Sequence, residues 1–559
     1  MTKLLTILLV LMLLAPPALS GNIGPSVRAW ISTADENESV AVWVFFKDKG
    51  LPSAEAEEAR VRECARAYPQ RTVERRLRAR PGRPFDRADL PLHKPYIDAL
   101  EREGVEFRVF SRWLNAVSVK AGLTEVERIA GMPFVTRITR VSGRRERPEP
   151  GTTAVGRPVP SLDQYGASYS QLAQIQVTEL HAEGYAGEGV VLAIFDTGFW
   201  LEHESITGVN VLAEHDFIND DDVTANEPGD DPNQHNHGTM CLSILAGNVP
   251  GVITGAAYEA EYILAKTEDI TMEQPIEEDW WIEAAEWVDS LGADVISSSL
   301  CYKDWYTYED MDGETAPITV AADQAAVNGI AVENAAGNSG SSEWRYILAP
   351  ADGDSVISVG AVDSTGMRAY FSSLGPTYDG RIKPTIMAMG LDTFIADPLD
   401  EHGYRRGSGT SFACPLVAGA IALILEKNSD WASAQVIEAI MATGTKASDP
   451  DTLYGWGILQ AYDASEYDPW SGIAGGNQDP ILLAYPNPCK SDLTILYTRG
   501  APYPKVSLYD VQGRLLERFA LDASGAVAFD VTKVRSGLSP GVAFAVVPGG
   551  GVAKIIIAE

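Results

Sequence analysis

Ser411 stands in the run RRGSGTSFACPLVAGAIALILEK, residues 405–427, where a glycine-rich turn carrying hydroxyls opens a long apolar segment. A serine hydroxyl placed there is a candidate nucleophile, because the free amides of a helix start favour negative charge developing beside it. The same residue also fits a plain helix cap ahead of a buried helix, and Cys414 puts a thiol one turn further on. To attack a carbonyl, the hydroxyl needs an imidazole to take its proton and a buried carboxylate to orient the imidazole. His237, in HNHGTMCLSILAG, precedes an apolar helical run, so its ring would project from a helix start. Asp196 ends the apolar run VVLAIF and is followed by Thr197-Gly198. The carboxyl end of a parallel strand is where open α/β sheets put their sites, although an Asp before glycine also makes ordinary turns. Asn338, in VENAAGNSG, follows a strand on a glycine turn, and its amide can donate to the oxyanion of a tetrahedral intermediate. His203 and His235 lie nearby; His235 and His237 beside the acidic stretch 216–231 suggest a metal pair. That pair lacks HExxH spacing and a clear third ligand, which argues against zinc.

Elements that could position these groups are readable around them. From about residue 190 the pattern is βα, with apolar strand-like runs at 190–195, 262–265, 294–298, 330–334 and 355–360 and helical stretches at 278–290 and 317–328. Strands alternating with helices imply a mostly parallel sheet covered on both faces. Ahead of it, a strand at 40–46, a charged helix at 55–80 broken by Pro69 and helix at 95–103 are expected. Alternation at 114–120, a short helix 124–130 capped by Thr124 and a strand at 135–141 complete a small α+β unit. Residues 144–160, rich in Pro, Gly and charge, read as a linker, and 466–480 as a second one. Period-2 runs then return without helices at 493–497, 505–510, 526–531, 542–547 and 552–557, with a turn at 511–514; this is a small antiparallel β module.

Composition bounds the rest. The 559 residues exceed what one core usually organises, and 45% hydrophobic with 22% charged residues is ordinary globular composition. Lys3, the apolar run Leu4–Leu14 and Ala18-Leu19-Ser20 fit a secretory signal peptide rather than a membrane span. The mature protein is therefore expected to be soluble and exported. The five cysteines, Cys64, Cys241, Cys301, Cys414 and Cys489, include no CxxC pair and suggest no disulfide framework. Residues 1–150 hold 25 Lys and Arg against 19 Asp and Glu, while residues 151–559 hold 19 against 58. A basic leading part and a very acidic body either attract each other or simply present solvated faces. The acidic body argues against nucleic-acid binding.

The ordered set IFDTG, HNHGT, AAGN and GTSFACP resembles the subtilisin-like serine proteases, the subtilase family (peptidase S8). Asp196, His237 and Ser411 keep that family's chain order, and SVISVGAVDSTGMRAYFSSLGP and YGWGILQAYDA extend the similarity over about 185–465. The resemblance implies an α/β, three-layer subtilisin-like fold with a mostly parallel sheet, preceded by a small α+β propeptide and followed by a small β-sandwich. The expected order is signal peptide 1–20, propeptide 21–150, catalytic domain 161–465, linker 466–480 and C-terminal domain 481–559. It implies a secreted, self-processing endopeptidase in which Asp196 orients the imidazole, His237 is general base then acid, and Ser411 is acylated. Asn338 and the Ser411 amide would form the oxyanion hole. Ser297, Ser298, Ser299 and Leu300, with Ala335, Ala336 and Gly337, would hold an extended peptide and line its first pocket.

The resemblance further implies polypeptide substrates, the propeptide as folding template and temporary inhibitor, and no required cofactor. Calcium is the one metal it raises, but Ser205 stands where some relatives have a calcium-binding Asp and the loop near 247–254 is short, so no calcium site is carried over. The cluster Asp216–Asp231 could itself bind calcium or be a solvated acidic loop. Cys301 stands where the family often has glycine, and Thr385 replaces a common Asp. LNAVSVKAGLTEVERIAGMPFVTRITRV resembles the end of a subtilase propeptide, with cleavage expected between about 141 and 165. AYPNPCKSDLTILY, VSLYDVQGRLL and KIIIAE resemble a type IX secretion sorting domain; a plain sandwich for stability or surface attachment is the alternative. Two rival readings remain: a catalytically dead relative acting as a secreted binding protein, and an exported esterase, for which the GxSxG elbow is absent around Ser411.

Overall fold

Unbroken apolar runs such as VLAIFD can be buried on both faces only inside a covered parallel sheet, and that is where the chain puts them. A computed structural model describes residues 22–33, 38–80, 82–141, 151–155, 164–271 and 274–467, and seven strands between 482 and 557. The expected signal peptide, most of both linkers and the 511–514 turn lie outside these residues.

After helix α1 (Pro25–Ile31), the leading domain is a four-stranded antiparallel sheet: β1 (Ser39–Phe46), β2 (Glu106–Ser111), β3 (Ala116–Gly122) and β4 (Val135–Val141), in the order β2-β3-β1-β4. Between β1 and β2 come α2 (Ala54–Cys64), α3 (Gln70–Ala79) and α4 (Lys94–Glu101); α5 (Leu123–Ala130) joins β3 to β4. The expected cap Thr124 lies inside α5, whose N-cap is Gly122. Gly122 is also paired to Ser39 as the last residue of β3, so strand pairing sets the helix start.

The expected linker 144–160 contains a strand, β5 (Gly151–Ala154). The central sheet follows with β6 (Val191–Asp196), β7 (Asn210–Asp216), β8 (Glu261–Lys266), β9 (Val295–Ser298), β10 (Ala331–Ala335), β11 (Ile357–Val362) and β12 (Ile386–Met389). All seven are parallel, in the order β12-β11-β10-β9-β6-β8-β7. The short β12 and the half-exposed β7 were not expected from sequence. Helices α6 (Asn236–Ala246), α7 (Ile276–Leu291), α8 (Pro317–Val327) and α9 (Thr410–Lys427) cover the sheet, with α9 packed across β9 to β12. Strands β13 (Thr393–Ala396) and β14 (Tyr404–Ser408) form an antiparallel ribbon that β5 extends, Gly151 facing Ser408. Ser408, expected in a turn, ends β14. Among the described residues α9 is the one helix long and apolar enough to cross a membrane, and 83% of that stretch is buried in the core.

The leading domain lies on α7. Arg108 and Ser118 reach the buried Asp279, and Ser111 Oγ and Trp113 N donate to Glu286 at 2.7 and 3.1 Å. From Glu466 onward the chain forms a separate compact unit, with strands arranged in one three-stranded and one four-stranded antiparallel sheet.

Candidate active site

Asp196 closes β6 at the carboxyl edge of the sheet and is fully buried. Its Oδ1 accepts from Thr197 N at 2.8 Å and from His237 Nδ1 at 2.7 Å. A carboxylate can only accept, so the proton of that bond sits on Nδ1 and Nε2 is left with its lone pair outward. His237 is the second residue of α6, and the start of α6 is tied to the end of β6. Gly238 N donates to Thr197 Oγ1 at 3.2 Å, and Gln234 Nε2 donates to Thr197 O at 2.7 Å. A Cβ on residue 238 would stand 2.2 Å from Gly198 O, so the close approach requires glycine.

Ser411 is the second residue of α9 and is 6% exposed. First-turn amides have no intrahelical acceptor, so its own N–H is available at the site. Pro415 lies four residues on and has no N–H, which frees the carbonyl of Ser411 from the helical ladder. That carbonyl instead accepts from Ser299 Oγ at 2.9 Å and faces Cys241 Sγ at 3.4 Å. The Ser411 hydroxyl donates to Ser299 O at 3.4 Å, and among the described residues no hydrogen bond joins it to His237. Catalytic bonds of a free enzyme are often loose and tighten with substrate. Cys241 touches both halves of the site, its Sγ lying 3.9 Å from His237 Nδ1.

Asn338 follows β10 and is exposed. Its Oδ1 accepts from Thr410 N at 2.9 Å and Thr410 Oγ1 at 3.0 Å. With the oxygen pinned to the start of α9, Nδ2 is turned outward as a donor beside Gly409, where a Cβ would lie 3.6 Å from it. The site thus gathers an oriented imidazole, a hydroxyl at a helix start and an amide donor, the set needed for acyl transfer.

The expected peptide-binding stretches divide. Ser297 and Ser298 lie inside β9, paired to β6 on one side and β10 on the other, and are fully buried. Their backbone is paired on both sides and cannot also pair with a peptide; Ser299 and Leu300 lie beyond the end of β9. Ala335 ends β10 and Ala336 N donates to Val359 O at 2.9 Å, which ties both to the sheet. Gly337 turns the chain at φ +101, a conformation glycine adopts freely, with a Cβ there 2.4 Å from Leu348 Cδ1.

Other candidates have structural partners. His203 is buried, donating from Nε2 to Gly403 O at 2.8 Å and accepting at Nδ1 from Ser205. His235 Nδ1 accepts from Asn226 N at 3.2 Å. The acidic loop holds a cation of its own, since Lys266 Nζ stands 2.8 Å from both Asp216 Oδ2 and Asp230 Oδ2. Asp216 Oδ1 accepts from the amides of Ile218 and Asn219. Asp221 and Glu227 stand close to Asp216, but with Asp216 saturated the group does not offer the six to eight oxygens calcium takes, and these residues do not fit that ion. Burial pushes the Cys241 and Cys414 thiols up, so both are protonated walls rather than nucleophiles. Sequence reasoning passed over Cys241, Pro415 and Lys266; the four-residue spacing from His237 to Cys241 on one helix face was the available signal for the first.

A model described as the subtilase family matches residues 187–457. A peptidase S8 propeptide domain of Bacteroidota matches 41–152, and a secretion system C-terminal sorting domain matches 483–539. Subtilisin NAT of Bacillus subtilis subsp. natto is 35% identical over 298 residues, covering 53% of this chain and 70% of that protein. Subtilisin of Bacillus pumilus is 33% identical over 296 residues, covering 53% of this chain and 98% of that protein. The solved structure of fervidolysin from Fervidobacterium pennivorans, described as a keratinolytic enzyme related to subtilisin, aligns with TM-score 0.55 at 17% identity. That alignment covers 91% of this chain and 70% of fervidolysin, a likeness of fold.

Proposed function

We infer the mechanism from the premise that the chain belongs to the subtilase family of serine endopeptidases. It is made with a propeptide and carries a sorting domain that marks it for secretion or the cell surface. Ser411 Oγ attacks the carbonyl carbon of the scissile bond while His237 Nε2 takes its proton. Asp196 holds the ring in the tautomer that leaves Nε2 free and stabilises the imidazolium. Asn338 Nδ2 and the Ser411 amide donate to the oxyanion. The imidazolium then gives its proton to the leaving amine, and the peptide's acyl group stays on Ser411 until water, activated by the same imidazole, releases it. No organic cofactor takes part. The observation that supports this reading most is the 2.7 Å bond from His237 Nδ1 to a fully buried Asp196. The test is casein hydrolysis by the matured protein after thiol alkylation. Full activity is expected; because Cys241 lies against His237, loss of activity counts against Ser411 only where the trapped acyl group maps to a cysteine.

Asn338→Leu removes one oxyanion donor but also the acceptor of Thr410. A loss of about 10²–10³ in kcat is expected, the magnitude seen for this role in subtilisin, with KM little changed. A rise in KM at constant kcat would make Asn338 a binding residue instead.

The propeptide is proposed to remain docked after the boundary bond is cut. Its hold depends on pH through Asp279, which burial pushes up to about 6 against the opposing pull of Arg108 and Ser118. Once the domains separate, Asp279 meets water and its carboxyl returns towards the ordinary range. The docked state then binds more protons than the separated state, so docking is strongest towards about pH 4 and weakens as pH rises through about 6. Release measured by gel filtration should therefore be several-fold faster at neutral pH than near pH 5; a rate that rises on acidification contradicts this.

A further inference from the structure

The helix α3, QRTVERRLRA, buries two of its four arginines completely: Arg75 and Arg76 are 1% and 0% exposed. Arginine is almost never buried unless paired, and these two have partners in the catalytic domain. Arg75 and Arg76 both bind the carboxylate of Asp289, itself fully buried, and Arg76 also bonds Asp89 at 2.6 Å. Arg71 binds Asp294, with Arg78 3.5 Å from the same carboxylate.

The second set of partners is backbone. Helices α7 and α8 end side by side, α7 at Gly292 and α8 at Asn328 followed by Gly329. A helix end presents unpaired carbonyls and the negative pole of the helix dipole. Arg71 Nε donates to Gly292 O at 3.0 Å and Arg75 Nε to Asn328 O at 3.2 Å, while Arg75 Nη1 donates to Ala293 O. The fit is close: a Cβ on Gly329 would lie 2.9 Å from Ala79 Cβ.

This contact lies at the far end of the sheet from the chemistry. Asp294 directly precedes β9 and accepts from Val191 N, the first residue of β6, at 3.1 Å. Asp196 ends the same strand, and a six-residue strand spans roughly 20 Å.

We propose that α3 is a second anchor of the propeptide, a guanidinium cluster seated on two helix ends and on Asp289 and Asp294, which keeps the cut propeptide on the enzyme. The inference rests on the reading of residues 41–152 as a removable inhibitor. Cutting the chain near the active site leaves this contact untouched, since none of its residues belongs to the cleft. Breaking it exposes buried charges on both partners, so one lost partner costs more than a surface pair would. The anchor therefore delays the appearance of activity after cleavage. Because it joins a basic segment to an acidic body, re-docking is steered by charge and weakened by salt.

The test follows full-length wild type, Arg75→Gln and the double variant Arg71→Gln/Arg78→Gln through folding and self-cleavage. The double variant removes half-exposed partners only, so it reports even where Arg75→Gln does not fold. The readouts are co-elution of the cut propeptide with the catalytic domain, the lag before casein hydrolysis, and kcat/KM of the released enzyme. Wild type should cut itself, retain the propeptide and stay latent, with a lag that high salt shortens. In the variants the propeptide should elute apart and the lag should shorten roughly tenfold, with kcat/KM of the released enzyme unchanged. A wild-type lag and full co-elution in the double variant overturn the anchor alone. A wild-type chain that never cuts itself overturns the processing reading and the anchor with it.

Discussion

Ser411→Ala, made in the full chain, is expected to leave one uncut polypeptide with no casein hydrolysis above background. The substitution removes a single oxygen at the start of α9. The serine's carbonyl remains tied to Ser299 Oγ, and its amide still opens the helix. Folding should therefore be unchanged, with the propeptide still seated on α7. In kcat the loss should be on the order of 10⁶, as when subtilisin loses its serine. Residual catalysis from the oxyanion donors should become measurable with an activated ester once an added protease has removed the propeptide. Electrophoresis of the expressed protein and a thermal melt check both halves of the prediction. A variant that matures normally in pure form would mean that another protease cuts the propeptide.

The second large effect is expected at Asp196→Asn. Asp196 Oδ1 accepts from both Thr197 N and His237 Nδ1, so an asparagine turned to donate to the ring gives up the acceptor of Thr197 N; the side chain is isosteric and the strand end should hold. An asparagine amide facing His237 donates to Nδ1 and stabilises the ring with its proton on Nε2. That tautomer has no lone pair for Ser411, and kcat should fall by about 10⁴ at neutral pH. Asp196 is fully buried behind the imidazole, so KM should move little. A loss below tenfold, or one carried by KM, would remove Asp196 from its assigned role.

The three groups of the site were legible because each lies at the end of an element whose local sequence announces it. Asp196 follows a run of buried strand residues, while His237 and Ser411 each open an apolar helix, Ser411 behind Gly409-Thr410 and His237 directly before Gly238. The supporting contacts were hidden because they join residues distant in sequence. Pro415 matters only once Ser299 is known to face the carbonyl it frees, and Lys266 reads as a strand terminus until the loop carrying Asp230 folds over it. The acidic loop looked open to calcium because composition does not show which cation neutralises it. Strand β5 was hidden in a Pro- and Gly-rich stretch, since a four-residue strand added to a ribbon edge needs no apolar pattern of its own. Thr124 looked like a cap because propensity is local, whereas the end of β3 is set by pairing with Ser39. The arginines of α3 gave a net charge but no partner; the ends of two helices distant in sequence and two carboxylates beside the first of them had to meet α3 before they could be read as an interface.

The proposed nucleophile is Ser411, activated through His237 and Asp196. It is tested most directly by treating the matured protein with a fluorophosphonate probe and mapping the adduct by peptide mass spectrometry. A single adduct on Ser411 is predicted in wild type, with labelling slowed by orders of magnitude in Asp196→Asn. An adduct on any other serine, or equal labelling in the two proteins, would contradict it.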